Sequence, residues 1–363
     1  MQKSIGEPAR SVPVVHECDV CVIGGSCTGV FAAVRAAQLG ATVALVENNG
    51  FFGGVATAGL VSIWHSLFDT AGDLRIIGGL TAAVIDRLHQ RGAAVLHQRN
   101  PSSYATLNTA ELTIELDELV CSQPLIRPFL HTRFVSPIVE AGRVTAAIIE
   151  DKTGRRAIVA RSFIDASGDG DLLARAGFPT RTLNDLQPPT ACALIHGIDE
   201  VARHNPGFNL GTAVHDPRHA KALQRGFLWS VGVTGVPGAT MVAGTRVHNA
   251  DCSDADQLTR AEMEARRQVR AMRDILHDHC AGGEAVSLIA LPAYIGIRET
   301  RHAECLHALT EAEVLDGVRF PDAIANGSYR VDVHHSDRAG ITFRYLDGSE
   351  VYHAPGEPTV TGR

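Results

Sequence analysis

The sequence predicts an α/β fold, in which a three-layer domain with a parallel sheet is joined to a second, β-rich domain. Residues 20–23 and 42–46 are short apolar runs that suit buried parallel strands. Residues 30–39, between them, are Ala-rich and mostly apolar, as a buried helix would be. Residues 135–163 read as short strands separated by glycine-containing turns, which predicts an antiparallel meander.

The turn between the first strand and its helix consists of small residues: Gly24, Gly25, Ser26, Cys27, Thr28 and Gly29. A pyrophosphate at a helix N-terminus must reach backbone N–H groups, which bulky side chains would block. Glu47 ends the second strand 18 positions after Gly29, close to the spacing at which a carboxylate binds ribose hydroxyls. Ser26 replaces the motif's middle glycine, so the phosphates would have less space beside the turn. This order predicts a Rossmann-like dinucleotide site; the alternative is a βαβ unit without a nucleotide.

The residues after Glu47, NNGFFGGVATAGLV, resemble the FAD-dependent oxidoreductases that have a glutathione-reductase-like flavin domain. In that family the strand-end Glu is followed by a Gly-Gly turn and a small-residue segment that passes under the flavin. The resemblance implies FAD as the cofactor. The residues it places at the cofactor in this stretch are Glu47, Asn48, Gly53, Gly54, Val55 and Ala56.

A second stretch, FIDASGDGDLLARAGFP at residues 163–179, is similar to the family's second flavin motif, with Ser167 in place of a threonine. Small residues suit this turn because it must pack closely against the first glycine turn. The resemblance implies that Val135 contacts adenine through its backbone. It also adds four residues to the cofactor site: Ala166, Ser167, Gly168 and Asp169.

A third stretch, residues 295–334, looks like the family's GxRET strand followed by a D-x-H motif, and it departs from the family at Cys305 and His307. Arg298 and Arg301 could clamp a substrate carboxylate or stabilise negative charge on the reduced flavin. The alternative is a structural ion-pair network with Glu299.

Two histidines complete the set of candidate catalytic residues. His334 could form an oriented acid–base pair with Asp332. His65 lies just beyond the segment expected under the flavin, and it could transfer a proton because histidine titrates near neutral pH. The alternative for His65 is packing or substrate orientation. The candidate catalytic residues are therefore His65, Arg298, Arg301 and His334.

The motifs divide the chain into segments. We expect a loose leader at 1–16, an FAD-binding domain at 17–60 and 109–180, and a substrate domain at 61–108 and 181–363. Helices are predicted at 80–90, 109–121 and 254–280. The resemblance also implies a closing strand and helix of the flavin domain after His334, and no such stretch is recognisable in the sequence.

Composition limits the classes of partner. The net charge of −7 offers no basic surface for nucleic acid, and no apolar run reaches the length of a membrane span. The eight cysteines are scattered, which favours reduced thiols in a cytoplasmic protein and no metal site. We therefore expect a small-molecule substrate, no nucleic acid or membrane partner, and a possible homo-oligomer.

The function expected from these observations is an FAD-dependent oxidoreductase that transfers a hydride from a small organic substrate to flavin N5. Two alternatives stay open. The chain could be a non-catalytic ADP- or FAD-binding remnant, or half of a site that a partner completes. It could also be an NAD-dependent dehydrogenase, against which the second flavin-like turn and Gly53-Gly54 argue.

Overall fold

The computed structural model describes residues 3–97, 104–223 and 227–355. Its helices are α1 (Cys27–Gln38), α2 (Gly79–Gln90), α3 (Thr109–Cys121), α4 (Asp171–Arg175), α5 (Ile198–His204), α6 (Leu210–Val214), α7 (Ala255–His279) and α8 (Glu311–Leu315). Its strands are β1 (Val14–Ile23), β2 (Val43–Val46), β3 (Ile63–His65), β4 (Ala94–His97), β5 (Tyr104–Leu107), β6 (Ile126–Phe129), β7 (Arg133–Glu140), β8 (Arg143–Asp151), β9 (Gly154–Asp165), β10 (Thr180–Thr182), β11 (Ala193–His196), β12 (Trp229–Gly232), β13 (Ala239–Ala243), β14 (Ser287–Ala290), β15 (Arg301–Ala303), β16 (Val331–His334), β17 (Ile341–Arg344) and β18 (Glu350–His353).

The chain divides into two compact units. Unit 1 comprises Met1–Phe52 and Glu118–Pro179. Unit 2 comprises Gly53–Asp117 and Thr180–Arg363. Each is described below by itself.

Unit 1 is built on a six-stranded sheet in the order β6-β2-β1-β9-β8-β7. The pairs β6–β2, β2–β1 and β1–β9 are parallel, while β9–β8 and β8–β7 are antiparallel. All four residues of β2 are buried, which explains its uninterrupted apolar sequence. Helix α1 buries small residues, Ala33 and Ala37, together with Val30 and Val34. The predicted parallel βαβ unit is therefore present.

The meander is part of this sheet. Strand β9 runs without a break from Gly154 to Asp165 and pairs with β1 from Val14 onward. The sequence pattern ended the meander at residue 163, whereas β9 continues to Asp165. It also placed Val14 in a leader, whereas Val14 is the first residue of β1. Pairing across the sheet extends both strands beyond their apolar runs.

The described residues of unit 2 form four sheets, with orders β12-β13-β11-β14, β16-β17-β18, β3-β5-β4 and β10-β15. Helix α7 spans 25 residues, and its buried face, which includes Val269, Met272 and Leu276, packs into a core with Ile195 and Val242. Asp254 caps it, and α3 matches its predicted bounds. The short helices α5 and α6 were not predicted. Within the described residues, no helix is both long and apolar enough to cross a membrane.

Candidate functional site

The glycine turn after β1 is closed by backbone contacts that leave no room for side chains. Gly24 has a φ of +103°, and a Cβ there would lie 2.2 Å from the carbonyl oxygen of Ala166. A Cβ on Gly29 would lie 1.9 Å from the carbonyl oxygen of Gly24. The two predicted cofactor turns therefore touch at Gly24 and Ala166, and Gly29 lets α1 start directly against the first turn.

Glu47 joins the end of β2 to the same turn. Its Oε2 accepts a hydrogen bond from the Gly25 N–H at 2.7 Å, and its Oε1 accepts from the backbone and side-chain nitrogens of Asn49 at 2.7 and 2.8 Å. A Cβ on Gly25 would lie 2.8 Å from Glu47 Cβ and 2.6 Å from Phe52 Cδ1. The carboxylate is buried, at 7% exposure, so these bonds fix it at the end of the strand.

The first turn of α1 is capped by a side chain of the glycine turn. Ser26 is the N-cap, and its hydroxyl accepts from the Gly29 N–H at 3.3 Å. Burial raises the pKa of Cys27 to about 12, so its thiol stays protonated. Thr28 is exposed. Ser26 thus supplies the helix with a cap at the position where the motif has glycine.

Asp165, which ends β9, organises the second turn. Its Oδ1 accepts from the N–H and hydroxyl of Ser167 at 3.1 and 2.6 Å, and its Oδ2 accepts from the N–H groups of Leu172 and Leu173 at 3.0 and 3.1 Å. Asp165 therefore caps α4 and holds Ser167 in place. Gly168 is exposed and has a φ of +87°, and a Cβ there would meet no atom within 4 Å. Asp169 follows it at the end of the turn.

Val135 lies at a bulge, where the register between β7 and β8 shifts between Phe134 and Ser136. The carbonyls of Phe134 and Val135 both accept from Arg175 Nη1, at 2.9 and 2.8 Å. The Val135 carbonyl is thus already bonded. Elsewhere in unit 1, a Cβ on Gly50 would lie 2.5 Å from the ring of His131, a contact that the sequence did not predict.

Unit 1 therefore brings the two glycine turns and Glu47 together, as a site for the ADP part of FAD requires. At Gly24 the two turns are so close that a Cβ would collide with the backbone of Ala166. Asn48, beside Glu47, is exposed. The other predicted cofactor residues lie in unit 2, where Gly54–Ala56 is a turn of 3-10 helix and Gly53 is its N-cap.

His65 ends β3 in unit 2, close in sequence to that turn. Its ring lies 5.7 Å from the ring of Tyr104 and 5.1 Å from that of Tyr329, centroid to centroid. Part of the residue is open to solvent. Desolvation by the surrounding protein and the positive charge of Arg330 lower the pKa of His65 to about 4, against the opposing effect of Asp332. The imidazole is therefore neutral at pH 7.

His334, on β16, is buried and held on both sides. Its Nδ1 accepts from Arg246 Nη2 at 3.3 Å, and its Nε2 lies 3.2 Å from Asp332 Oδ1. Burial lowers the pKa of His334 to about 4. The other oxygen of Asp332 accepts from the Tyr329 hydroxyl at 3.3 Å. Burial and the Asp332 charge raise the pKa of Tyr329 to about 12, so its hydroxyl stays protonated.

Arg298 and Arg246 both donate to the hydroxyl oxygen of Thr190. The distances are 3.2 Å from Arg298 Nη2 and 2.8 Å from Arg246 Nη1. Arg246 is 4% exposed, whereas Arg298 has an exposed surface, although the surrounding protein desolvates its guanidinium enough to lower its pKa. Arg301 donates to the carbonyl of Ser253 at 3.1 Å. Arg298 and Arg301, which were predicted to act together, therefore donate to different groups.

Glu299 has partners outside the predicted ion-pair network. It accepts from the Gln187 N–H at 3.2 Å and lies 2.8 Å from His302 Nε2. Of the candidate catalytic residues, the structure thus groups His334 and Arg298 around Arg246 and Thr190. Sequence reasoning missed Arg246 and Thr190, because neither belongs to a recognisable motif.

The chain matches a number of solved structures, each at low sequence identity. The p-nitrophenol 4-monooxygenase of Pseudomonas putida DLL-E4 matches at 15% identity over 80% of this chain and 70% of that chain, with a TM-score of 0.49. The geranylgeranyl bacteriochlorophyll reductase-like protein of Thermoplasma acidophilum matches at 15% identity over 79% and 66%, with a TM-score of 0.49. Glycine oxidase of Geobacillus kaustophilus matches at 14% identity over 80% and 84%, with a TM-score of 0.43. No curated protein matches the chain.

A family model described as FAD dependent oxidoreductase matches residues 19–357. The match includes the glycine turn, Glu47, the second turn and the Arg298–His334 region. The predicted α/β fold with a Rossmann-like FAD-binding domain and the predicted cofactor, FAD, are therefore confirmed. The chain belongs to the family of FAD-dependent oxidoreductases.

Proposed function

We propose that this enzyme takes a hydride from a small organic substrate bound by unit 2, and that His65 accepts the proton that the substrate releases. FAD, when bound, supplies the hydride acceptor at N5. The observation that carries the proposal is the state of His65. Its imidazole is neutral, and neither ring nitrogen has a hydrogen-bond partner among the described residues.

The contrast with His334 supports this choice. One nitrogen of His334 accepts from Arg246, and the other lies against Asp332. With both nitrogens engaged, His334 acts as a positioning residue that links Arg246 to Asp332. His65, whose ring makes tilted contacts with Tyr104 and Tyr329 and which is partly open to solvent, has the freedom to meet a substrate.

The local chain path also supports a role for His65. The 3-10 turn Gly54–Ala56, which the family resemblance places under the flavin, is followed by a tight segment in which the Val61 N–H donates to the Val55 carbonyl at 3.1 Å. That segment leads into β3, which ends at His65. A short and locally hydrogen-bonded connection therefore joins the flavin segment to the proposed base.

The proton balance defines the reaction class. The substrate carbon loses a hydride, and the neighbouring oxygen or nitrogen loses its proton to a His65 nitrogen, so a C=O or C=N bond forms. A second electron acceptor must reoxidise the enzyme. The charge of Asp332, which opposes the lowering of the His65 pKa, would stabilise the imidazolium that results.

The proposal is tested by anaerobic reduction of the FAD-loaded enzyme with a panel of alcohols, amines and hydroxy acids. For a substrate that bleaches the flavin absorbance, the His65→Gln variant is expected to slow bleaching about 10²- to 10⁴-fold. His97→Gln is the matched control, because His97 stacks on the same Tyr104 ring at 4.5 Å. A His65→Gln enzyme that is reduced as fast as the wild type would contradict the proposal.

A further inference from the structure

We infer that the substrate carries a carboxylate group, and that Arg298 binds it above a buried layer formed by Arg246, Thr190 and His334. The inference deepens the proposed function and rests on its assumption that unit 2 binds the substrate. It begins with the two guanidinium groups that share the Thr190 hydroxyl at 2.8 and 3.2 Å.

The charges in this cluster do not balance. Among the described residues, neither Arg246 nor Arg298 has a carboxylate within ion-pair distance, and the partners of Arg246 are the Thr190 hydroxyl, the Thr245 carbonyl and His334 Nδ1. Guanidinium groups stay protonated in proteins, and His334 is neutral at pH 7. Asp332 is the acidic group whose charge reaches both arginines. Arg330 also acts on Asp332, so this one negative charge does not offset Arg246 and Arg298.

Burial makes this imbalance costly unless a ligand relieves it. Arg246 is 4% exposed, Thr190 5% and His334 6%, so the layer beneath Arg298 is closed to water. Arg298 keeps an exposed surface. A ligand can therefore reach Arg298 from solvent. The positive charge of the buried Arg246 adds to the electrostatic potential that this ligand would meet.

The shape of the guanidinium points to the class of anion. The planar guanidinium of Arg298 matches the two oxygens of a carboxylate, which it can bind with two parallel hydrogen bonds. His65 and Asp332 are linked to the same cluster through Tyr329, which contacts both. A carboxylate on Arg298 would thus anchor a substrate within the unit that carries the proposed base.

The test is an equilibrium titration of the FAD-loaded enzyme with acetate, propionate and benzoate, each compared with its neutral amide at constant ionic strength. The readouts are the thermal unfolding midpoint and the flavin difference spectrum, neither of which needs turnover. We expect at least one acid to bind on the order of tenfold more tightly than its amide. Because Arg298 has an exposed surface, Arg298→Gln should fold normally and abolish this preference.

Arg267→Gln is the matched control, because Arg267 is an exposed arginine of the same unit that is paired with Glu264. It should keep the preference for acids. Equal binding of acids and amides, an unchanged preference in Arg298→Gln, or tighter binding of inorganic phosphate than of every carboxylate would overturn the inference. If carboxylates bind as expected while His65→Gln is reduced normally, the proposed base is wrong and the carboxylate site stands.

Discussion

The carboxylate of Glu47 accepts a hydrogen bond from the backbone N–H of Gly25 at 2.7 Å. This bond ties the end of β2 to the glycine turn that follows β1. The same carboxylate holds Asn49 through two further bonds. The acid at the strand end therefore shapes the protein side of the dinucleotide site.

Replacing Glu47 by Gln should weaken FAD binding while leaving the fold in place. A neutral amide keeps the size of the side chain, but it loses charge-assisted acceptance from the Gly25 and Asn49 nitrogens. Such bonds contribute about 1.5–3 kcal/mol, so the Kd for FAD should rise roughly tenfold to a hundredfold. Fluorescence titration of FAD measures this change. Glu150→Gln, which alters an exposed carboxylate of the same sheet, is the control and should leave the Kd unchanged.

Replacing Gly29 by Ala should destabilise the protein, although alanine is normally the better helix former by about 0.5–1 kcal/mol. The new Cβ would lie 1.9 Å from the Gly24 carbonyl oxygen, so α1 must shift away from the turn. We expect a loss of about 1–3 kcal/mol in unfolding free energy, together with a loss of FAD binding. Gly232→Ala, where a Cβ meets no atom within 4 Å, should change neither. Equal unfolding midpoints for the two variants would contradict the turn geometry.

The pH dependence of flavin reduction should report the lowered pKa of His65. The base form is the neutral imidazole, and its pKa lies near 4. The rate should therefore be flat through neutral pH and fall only toward pH 4, and this acid limb should be absent from His65→Gln. Single-turnover rates over about pH 4 to 8 measure it. An inflection close to the ordinary histidine pKa of about 6.5 would show that the imidazole is not desolvated.

The stability of the protein should decrease below neutral pH because of His334. Its pKa is about 4 in the folded state and about 6.5 when unfolded, so between these values the unfolded chain binds the extra proton. The contribution is complete above pH 6.5 and declines as the pH falls toward 4, by on the order of 3 kcal/mol. Urea unfolding of His334→Gln should show a shallower slope over this range. His204→Gln, an exposed substitution, controls for the loss of an imidazole, and a slope equal to the wild type in His334→Gln would refute the assignment.

The elements that sequence alone predicted are those with strong local patterns. Helix α3 has its predicted bounds, and α7 lies within one residue of them at each end, because apolar residues recur along both at helical spacing. The glycine turns were recognised because each follows a strand in the sequence pattern. Strand β9 was not predicted at its full length, because its length is set by pairing with β1 rather than by its own pattern.

The candidate site in unit 2 was only partly predictable, because its contacts join distant parts of the chain. Arg246 reaches Thr190 and His334 across 56 and 88 positions. His65 meets Tyr329 only after β3 and the segment before β16 have packed together. Motifs identified Arg298 and His334, but no local pattern marks Arg246 as their partner.

The most direct test of FAD binding at the glycine turn is the absorption spectrum of the purified chain after incubation with FAD and removal of unbound cofactor. It is recorded for the wild type, Gly29→Ala and Gly232→Ala. We predict a flavin spectrum at about one FAD per chain for the wild type and Gly232→Ala, and none for Gly29→Ala. A folded wild-type chain that stays colourless, or a Gly29→Ala chain that retains as much FAD as the wild type, would contradict this prediction.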